Sequence, residues 1–249
     1  MKTFFILESV RPHVDLIQNF NMFVTENIPE VKTSHTGSVK HKQMKALLVN
    51  GSPHKEGCTW TALSEIAETI EKQGIEAEIF QVGTDPVSGC LGCGHCRKTG
   101  RCVIDDNVNI FLDMAEKADG FVFGSPVHFA AASGMLTSFM DRVFYAGKKN
   151  LELKPAASVV SCRRGGATAT FDQINKYFTI SNMPVVGSQY WNMVHGNTPE
   201  EVRQDKEGLQ TMRTLARNLA WLLKCIKAGI EAGIELPEKE KPERTNFIR

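Results

Sequence analysis

The sequence lacks a long apolar run, an excess of charge of either sign and a recognisable export signal. No apolar stretch approaches the roughly 20 residues that a helix needs to cross a bilayer. The short run at residues 4–7 ends at Glu8, whereas a secretory signal needs an apolar segment of about 7–15 residues. The formal net charge of +1 gives no electrostatic reason to expect a nucleic acid or an anionic membrane as partner. We therefore expect a cytoplasmic protein that binds neither.

The 249 residues suffice for one substantial hydrophobic core but are few for two catalytic domains. Residues 1–44 differ from the rest, because a short helical stripe after Pro12 is followed by a polar stretch. We interpret them as an N-terminal arm and linker. Residues 45–229 form the predicted domain, and residues 230–249 form a charged C-terminal tail with two prolines.

From residue 45, apolar runs alternate with segments of helical periodicity. The runs predict strands at residues 46–50, 78–82, 120–124, 156–161 and 185–190. The periodic segments predict helices at residues 59–73, through 110–114, and at 135–144, 170–178 and 200–228. This alternation predicts an α/β fold, a five-stranded parallel sheet with helices on both faces. The expected strand order is 2-1-3-4-5, which places a ligand beyond the carboxyl ends of the strands.

The loop after the first strand is rich in small residues. Gly51 permits a tight turn, while Ser52, Thr59 and the amides at the helix start offer hydrogen-bond donors to a phosphate. His54 adds positive charge if it is protonated. The loop matches neither the Walker A pattern nor the G-x-G-x-x-G dinucleotide pattern, so an ordinary turn stays open as the alternative.

The loop after the third strand begins with Ser125 and Pro126, and proline makes the turn rigid. Exposed amides here are suited to the edge of a flat ring, with His128 or Phe129 beside its face. The alternative is an ordinary strand-to-helix loop with Phe129 in the core.

The loop after the fourth strand combines two arginines, Arg163 and Arg164, with Gly165 and Gly166. Glycines at a strand end allow the backbone to approach a planar or anionic group closely. An exposed arginine pair by itself is usually only solvated. Three such loops at one sheet edge indicate a binding site more strongly than any one of them.

The segments GSPHKEGCT, GSPVHF, CRRGGATATFDQINKYF and GSQYWNMVHG resemble those of the NADPH-dependent FMN reductase and flavodoxin-like superfamily. The resemblance covers about residues 45–225 and implies a flavodoxin-like fold with bound FMN. It implies that the FMN phosphate is held by Ser52, His54, Cys58 and Thr59. It implies that the isoalloxazine ring meets Ser125, Pro126, Val127, His128, Phe129, Gly165 and Gly166. His54 replaces the usual arginine and Cys58 the usual asparagine, which implies a weaker or more pH-sensitive grip on the phosphate.

Four of the seven cysteines, Cys90, Cys93, Cys96 and Cys102, form a C-x2-C-x2-C-x5-C array. Without an export signal, a metal or redox site is favoured over a disulfide framework. Interleaved glycines allow the tight turns that four thiolates around one centre require. Zinc sites more often use two separated Cys-x2-Cys pairs, so the spacing favours a [4Fe–4S] cluster. The array also resembles the compact motif of iron–sulfur flavoproteins. Free or paired thiols and zinc stay open.

The resemblance implies an NAD(P)H-dependent oxidoreductase in which a nicotinamide passes hydride to FMN. The acceptor would be a quinone, another small aromatic molecule or a protein, and no side chain need act as catalytic acid or base. One alternative is an electron carrier coupled to ferredoxin, without NAD(P)H activity. Another is a zinc- or thiol-based redox sensor. The family resemblance implies a homodimer or homotetramer. Of the remaining cysteines, Cys162 either faces the flavin or is an ordinary buried thiol, and Cys225 is expected in the core.

Overall fold

The computed structural model describes residues 43–247. The predicted N-terminal arm and linker therefore lie outside the described residues except for their last two positions. The strands are β1 (Lys45–Asn50), β2 (Glu76–Gln81), β3 (Gly120–His128), β4 (Ala131–Ala132), β5 (Ala156–Cys162) and β6 (Met193–His195). The helices are α1 (Cys58–Glu71), α2 (His95–Thr99), α3 (Asn107–Lys117), α4 (Gly134–Ala146), α5 (Lys148–Leu151), α6 (Ala167–Ile180), α7 (Pro199–Gln204) and α8 (Lys206–Glu231).

Five parallel strands form the sheet in the order β2-β1-β3-β5-β6, and the two-residue β4 pairs antiparallel with the end of β3. This confirms the predicted order 2-1-3-4-5, because β5 and β6 are the fourth and fifth strands of the parallel set. Every carboxyl end therefore points to the same edge of the sheet.

The sheet is buried on both faces, as a parallel sheet requires. Alternate side chains of β1 enter opposite layers: Leu47 and Val49 contact one core cluster, and Ala46 and Leu48 the other. Helices α3, α4 and α6 cover the first layer, while α1 and α8 cover the second. None of the helices in the described part of the chain combines the length and apolar character that crossing a membrane requires.

The prediction of a strand at residues 185–190 is wrong. The fifth strand is β6, and Val185 makes only an isolated bridge to Ala156. Between them the chain turns, because Ser188 Oγ donates to the carbonyl of Tyr190 at 2.6 Å and lies 2.8 Å from Asn192 Oδ1. A serine that bonds its own backbone two residues on favours a turn over a strand.

The single closing helix predicted for residues 200–228 is divided at Asp205. The Asp205 carboxylate accepts from the amide of Gly208 at 2.8 Å, which caps α8, and from the amide of His195 at 2.7 Å. Aspartate is among the preferred N-cap residues because its side chain satisfies a first-turn amide. A new helix therefore begins here, tied to the end of β6.

We expect Phe111→Ala to lower the free energy of unfolding by about 3–5 kcal/mol. Phe111 is fully buried and its ring centroid lies 5.2–6.3 Å from those of four other phenylalanines, namely Phe80, Phe121, Phe123 and Phe139. Urea unfolding measures the change. The matched control is Ile110→Ala, at the neighbouring position of α3, where the side chain is 54% exposed and the change should stay within about 0.5 kcal/mol. Equal effects of the two substitutions would contradict this account of the core.

Candidate functional site

At the carboxyl edge of the sheet, hydrogen bonds join the loop after β1 and the start of α1 to the end of β5, to β3 and to the start of α4. The amide of Gly51 donates to the carbonyl of Gly124 at 2.9 Å. Ser133 Oγ donates to the carbonyl of Gly51 at 2.7 Å, and the hydroxyls of Thr59 and Ser161 share a hydrogen bond of 2.8 Å. The structure thus brings together the three loops that carry the predicted flavin-contacting residues.

The loop after β1 is shaped by two side chains that the sequence analysis did not single out. The Asn50 side chain is fully buried; its Nδ2 donates to Gln81 Oε1 at 2.6 Å, and its Oδ1 accepts from the amide of Ser52 at 3.2 Å. Gln81 Nε2 in turn donates to the carbonyl of Ser52 at 2.7 Å. A polar residue at the end of an apolar strand, as in ALLVN, was the available signal. These bonds hold the loop in one conformation.

Helix α1 begins at this loop without a side-chain cap. Gly57 occupies the N-cap position, and the amide of Thr61 donates to the carbonyl of Gly57 at 3.0 Å. The amides of Cys58, Thr59 and Trp60 precede the first helical hydrogen bond and have no acceptor within the helix. Together with the positive end of the helix dipole, they suit an anion such as a phosphate.

The predicted phosphate-contacting side chains surround this helix start but differ in accessibility. Ser52 and Thr59 are buried, Cys58 is half-buried and His54 is exposed. Ser52 Oγ accepts from the amide of His54 at 3.1 Å. Burial raises the pKa of the Cys58 thiol, and the carboxylates of Glu201 and Glu200 raise it further. The thiol therefore stays neutral at pH 7 and adds no negative charge at an anion site.

The loop after β3 is a tight hairpin. Val127 and His128 pair with Ala132 and Ala131, and the two residues between them, Phe129 and Ala130, have φ angles of 52° and 59°. A positive φ is uncommon for residues other than glycine and is retained where the surrounding structure demands it. The Phe129 side chain is fully exposed, with a relative accessibility of 105%, so its alternative assignment to the core is wrong.

The base of this hairpin is held by serines. The buried Ser125 Oγ donates to the carbonyl of Pro126 at 2.8 Å and accepts from the amide of Ser133 at 3.0 Å. Ser133 also caps α4, accepting from the amide of Leu136 at 3.3 Å. Ser133 was missed by the sequence analysis, although serine just before a helical apolar pattern is an N-cap signature.

Gly166, in the loop after β5, lies directly against the hairpin. Its φ is +91°, and a Cβ atom added there would lie 2.8 Å from Ala130 Cα and 2.9 Å from Val127 Cγ1. Only glycine fits this approach, because any side chain would meet backbone. Gly165 faces open space, and the adjacent Arg163 and Arg164 are exposed. The two loops therefore form one continuous backbone surface beside the exposed Phe129.

Cys162, at the end of β5, is buried, and its Sγ lies 3.4 Å from His195 Nδ1 on β6. Burial raises the pKa of the Cys162 thiol. Cys225 was expected in the core but is exposed on α8. Its side of the helix turns away from the sheet, whereas Leu219 and Leu223 face the core.

The four clustered cysteines line one cavity of about 220 Å³, and all seven cysteines are free thiols. The short helix α2 lies between Gly94 and Gly100, both with φ of 72°, so these glycines permit the turns around Cys96. Cys102 is held on both sides by Asn109, whose side chain accepts from the Cys102 amide at 2.9 Å and donates to its carbonyl at 3.1 Å. Among residues 43–247, no three His, Cys, Asp or Glu side chains are grouped closely enough to form a metal-ligand set.

The chemistry of this donor set nevertheless fits a centre with four thiolate ligands. The four cysteine sulfurs are the soft donors that line the cavity wall, together with two arginines, Arg97 and Arg142. Metal–sulfur bonds themselves supply free energy that draws such ligands together. Arg142 was not anticipated, because a single arginine in a helix gives no sequence signal of burial.

The sheet order and the loops at its carboxyl edge define a flavodoxin-like protein. Solved structures with this fold include a flavodoxin from the domain Archaea (TM-score 0.52, 17% identity, covering 73% of this chain and 99% of that chain). A flavone reductase has a TM-score of 0.57 and 20% identity, covering 74% and 64%. RosB with a bound riboflavin-phosphate intermediate has a TM-score of 0.58 and 16% identity, covering 83% and 92%.

The family model for NADPH-dependent FMN reductase matches residues 44–198, and the chain belongs to this family. An iron–sulfur flavoprotein of Methanocaldococcus jannaschii is 33% identical over 192 residues, which are 74% of this chain and 100% of that protein. An iron–sulfur flavoprotein of Methanosarcina thermophila is 30% identical over 189 residues, 74% of this chain and 97% of that protein. Membership of this family indicates FMN as the cofactor.

We expect Gly166→Ala to raise the dissociation constant for FMN roughly tenfold. A Cβ atom at this left-handed position would push the hairpin away at Ala130, and restoring the binding conformation would cost about 1–3 kcal/mol, of which about 1.4 kcal/mol corresponds to tenfold in affinity. Quenching of flavin fluorescence in a titration measures the constant. The matched control is Gly187→Ala, outside the three loops, where open space and an ordinary backbone conformation leave affinity near that of the wild type. Wild-type affinity in both variants would contradict the role of the Gly166 contact.

Proposed function

We propose that this protein is an NAD(P)H-dependent oxidoreductase that passes electrons to a quinone, another small aromatic molecule or a protein acceptor. The observation that carries the proposal is the convergence of the loops after β1, β3 and β5 at one sheet edge, in a chain of the FMN reductase family. Bound FMN would supply a ring system able to accept hydride from a nicotinamide and to release electrons singly or in pairs.

The residues around the start of α1 would hold the phosphate end. The free first-turn amides of α1 and the hydroxyl of Ser52 are donors, and His54 is exposed beside them. Because histidine is not permanently charged as arginine is, we propose that the backbone amides supply most of the phosphate affinity.

The hairpin after β3 and the loop after β5 would hold the ring end. Ser125, Pro126 and Val127 form the rigid base of the hairpin, and Gly165 and Gly166 leave the neighbouring backbone bare of side chains. His128 and Phe129 are exposed above this surface. We propose that the Phe129 ring borders the face on which a nicotinamide stacks.

The four-cysteine cavity would hold a [4Fe–4S] cluster. The supporting observations are the shared cavity, the glycine turns and the similarity to proteins named iron–sulfur flavoproteins. Four cysteines, three of them spaced by two residues, are the usual ligand set of such clusters.

A second candidate is an electron carrier reduced by a ferredoxin rather than by NAD(P)H. It is favoured by a second cavity of about 640 Å³ that Cys96 also lines. Basic residues outnumber acidic ones in its wall, which is lined by Arg97, Lys98, Arg101, Lys148, Lys149 and Lys239 and by Asp113, Glu116 and Glu152. A basic rim beside a redox centre attracts an acidic redox protein and speeds their association.

We expect anaerobic addition of NADH or NADPH to bleach the flavin absorbance within seconds, and Phe129→Ala to weaken this response. Aromatic stacking is worth about 0.5–1.5 kcal/mol, so half-maximal reduction should require roughly two- to twelvefold more nucleotide. Stopped-flow absorbance measures the effect at equal FMN content.

The control for that experiment is Trp221→Ala, which removes an exposed aromatic side chain from α8 and should leave the nucleotide dependence unchanged. If neither nucleotide bleaches the flavin while a reduced ferredoxin does, the proposal of an NAD(P)H-dependent reductase is wrong and the ferredoxin-coupled electron carrier is supported.

We expect anaerobically purified protein to contain iron and sulfide in similar amounts, and Cys96→Ser to lose most of both. Removing one of four ligands leaves the centre incompletely coordinated. Metal and sulfide analysis measures the content. Cys225→Ser, at an exposed cysteine outside the array, should keep the wild-type content. Zinc without sulfide would mean that the four cysteines form a zinc site, as the redox-sensor alternative requires. Free thiols with neither zinc nor iron would mean that they form no metal centre.

A further inference from the structure

Arg142 is a buried cation at the wall of the four-cysteine cavity. It lies on α4, and its accessibility is 2%. A charged group this buried is costly unless ion pairing and hydrogen bonds compensate it. The hydrogen-bond partners of Arg142 therefore indicate the role of this buried charge.

Those partners all belong to residues 88–104, the cysteine segment, and to Asp106, the cap of α3. The guanidinium nitrogens donate to both carboxylate oxygens of Asp106 at 2.7 and 2.8 Å. They also donate to the carbonyls of Ile104 at 3.0 Å and Ser88 at 3.4 Å. The remaining donor, Nε, reaches Cys102 Sγ at 3.2 Å. One side chain thus joins both ends of the cysteine segment and contacts one of the four sulfurs.

We propose that Arg142 is a positioning residue that sets the reduction potential of the centre held by the four cysteines. This inference rests on the proposed [4Fe–4S] cluster. Acceptance of one electron, without a proton, adds one negative charge to the four-thiolate site. Hydrogen bonds to the ligand sulfurs and nearby positive charge both stabilise that added charge and make the potential more positive.

Burial determines how strongly the charge acts. Arg142 is screened from solvent, so its Coulomb interaction with the site is stronger than that of an exposed cation. Arg101, adjacent to Cys102 in the sequence, pairs with Asp113 at the surface, where the two side chains are 48% and 60% exposed. The effect of Arg101 on the potential should be small by comparison.

Neutralising Asp106 should shift the reduction potential in the direction opposite to neutralising Arg142. Its carboxylate orients the guanidinium, and its negative charge offsets part of the charge that faces the cavity. Neutralising Asp106 while keeping Arg142 should therefore shift the potential in the positive direction. A purely structural role for the Arg142–Asp106 pair predicts no such opposition.

The experiment is a potentiometric titration of the full-length protein, monitored by the electron paramagnetic resonance signal of the reduced centre, with dithionite as reductant. We expect Arg142→Met to lower the equilibrium constant for one-electron reduction roughly tenfold, a shift of about 59 mV in the negative direction. Arg142→Lys keeps the positive charge, so its potential should lie at least half of the way back from that of Arg142→Met to that of the wild type. Asp106→Asn should shift the potential in the positive direction. Arg101→Met should change the equilibrium constant for one-electron reduction by less than a factor of two.

Iron and sulfide in the wild type test the proposed cluster separately, and their absence would remove the cluster and this inference together. With the cluster present, a wild-type potential in iron-replete Arg142→Lys and Arg142→Met would overturn the inference, as would an equal shift in Arg101→Met. If Arg142→Met loses its iron, the inference is supported when Arg142→Lys retains iron and Asp106→Asn shifts in the positive direction. Loss of iron from all three variants at positions 142 and 106 would assign Arg142 a purely structural role and overturn the inference.

Discussion

The close approach of three backbone loops at one sheet edge is the constraint on which the candidate flavin site depends. The loop after β1 is joined to β3 through Gly51 and Gly124, and the loop after β5 meets the β3–β4 hairpin through Gly166 and Ala130. These contacts leave no room for a Cβ atom at Gly166, so the surface offered to a ligand is backbone. Because this surface is rigid and carries few side chains, it suits a flat ring or a phosphate that backbone groups can contact directly.

The cysteine segment is organised by different forces. Its glycines permit the turns, while Asn109 and Arg142 anchor Cys102 from two helices. Here a buried cation and its hydrogen bonds organise the site, in place of the bare backbone of the candidate flavin site. The two candidate sites thus differ in chemistry: one presents bare backbone at a sheet edge, and the other places four cysteine side chains beside a buried guanidinium. Their presence in one chain accords with its similarity to iron–sulfur flavoproteins.

Several elements were predictable because their signal is local. Apolar runs such as ALLVN mark β1, and the small residues after each strand mark the loops. The errors arose where a side chain overrides a local pattern: Ser188 turns the chain before β6, and Asp205 caps a new helix within one periodic segment. Asn50, Gln81 and Ser133 have partners distant in sequence, so their roles emerged only in three dimensions.

By itself, the sequence determined the alternation of strands and helices, the parallel sheet and the cysteine spacing, because periodicity and turn chemistry act over a few residues. Only the tertiary structure decided that Phe129 is exposed, that Gly166 abuts Ala130 and that Arg142 is buried against Cys102. Burial and contact depend on which distant segments pack together, and no local pattern records that choice. Arg142 lies on α4 and Cys102 in the loop between α2 and α3, and they meet only because α4 and the cysteine segment pack together.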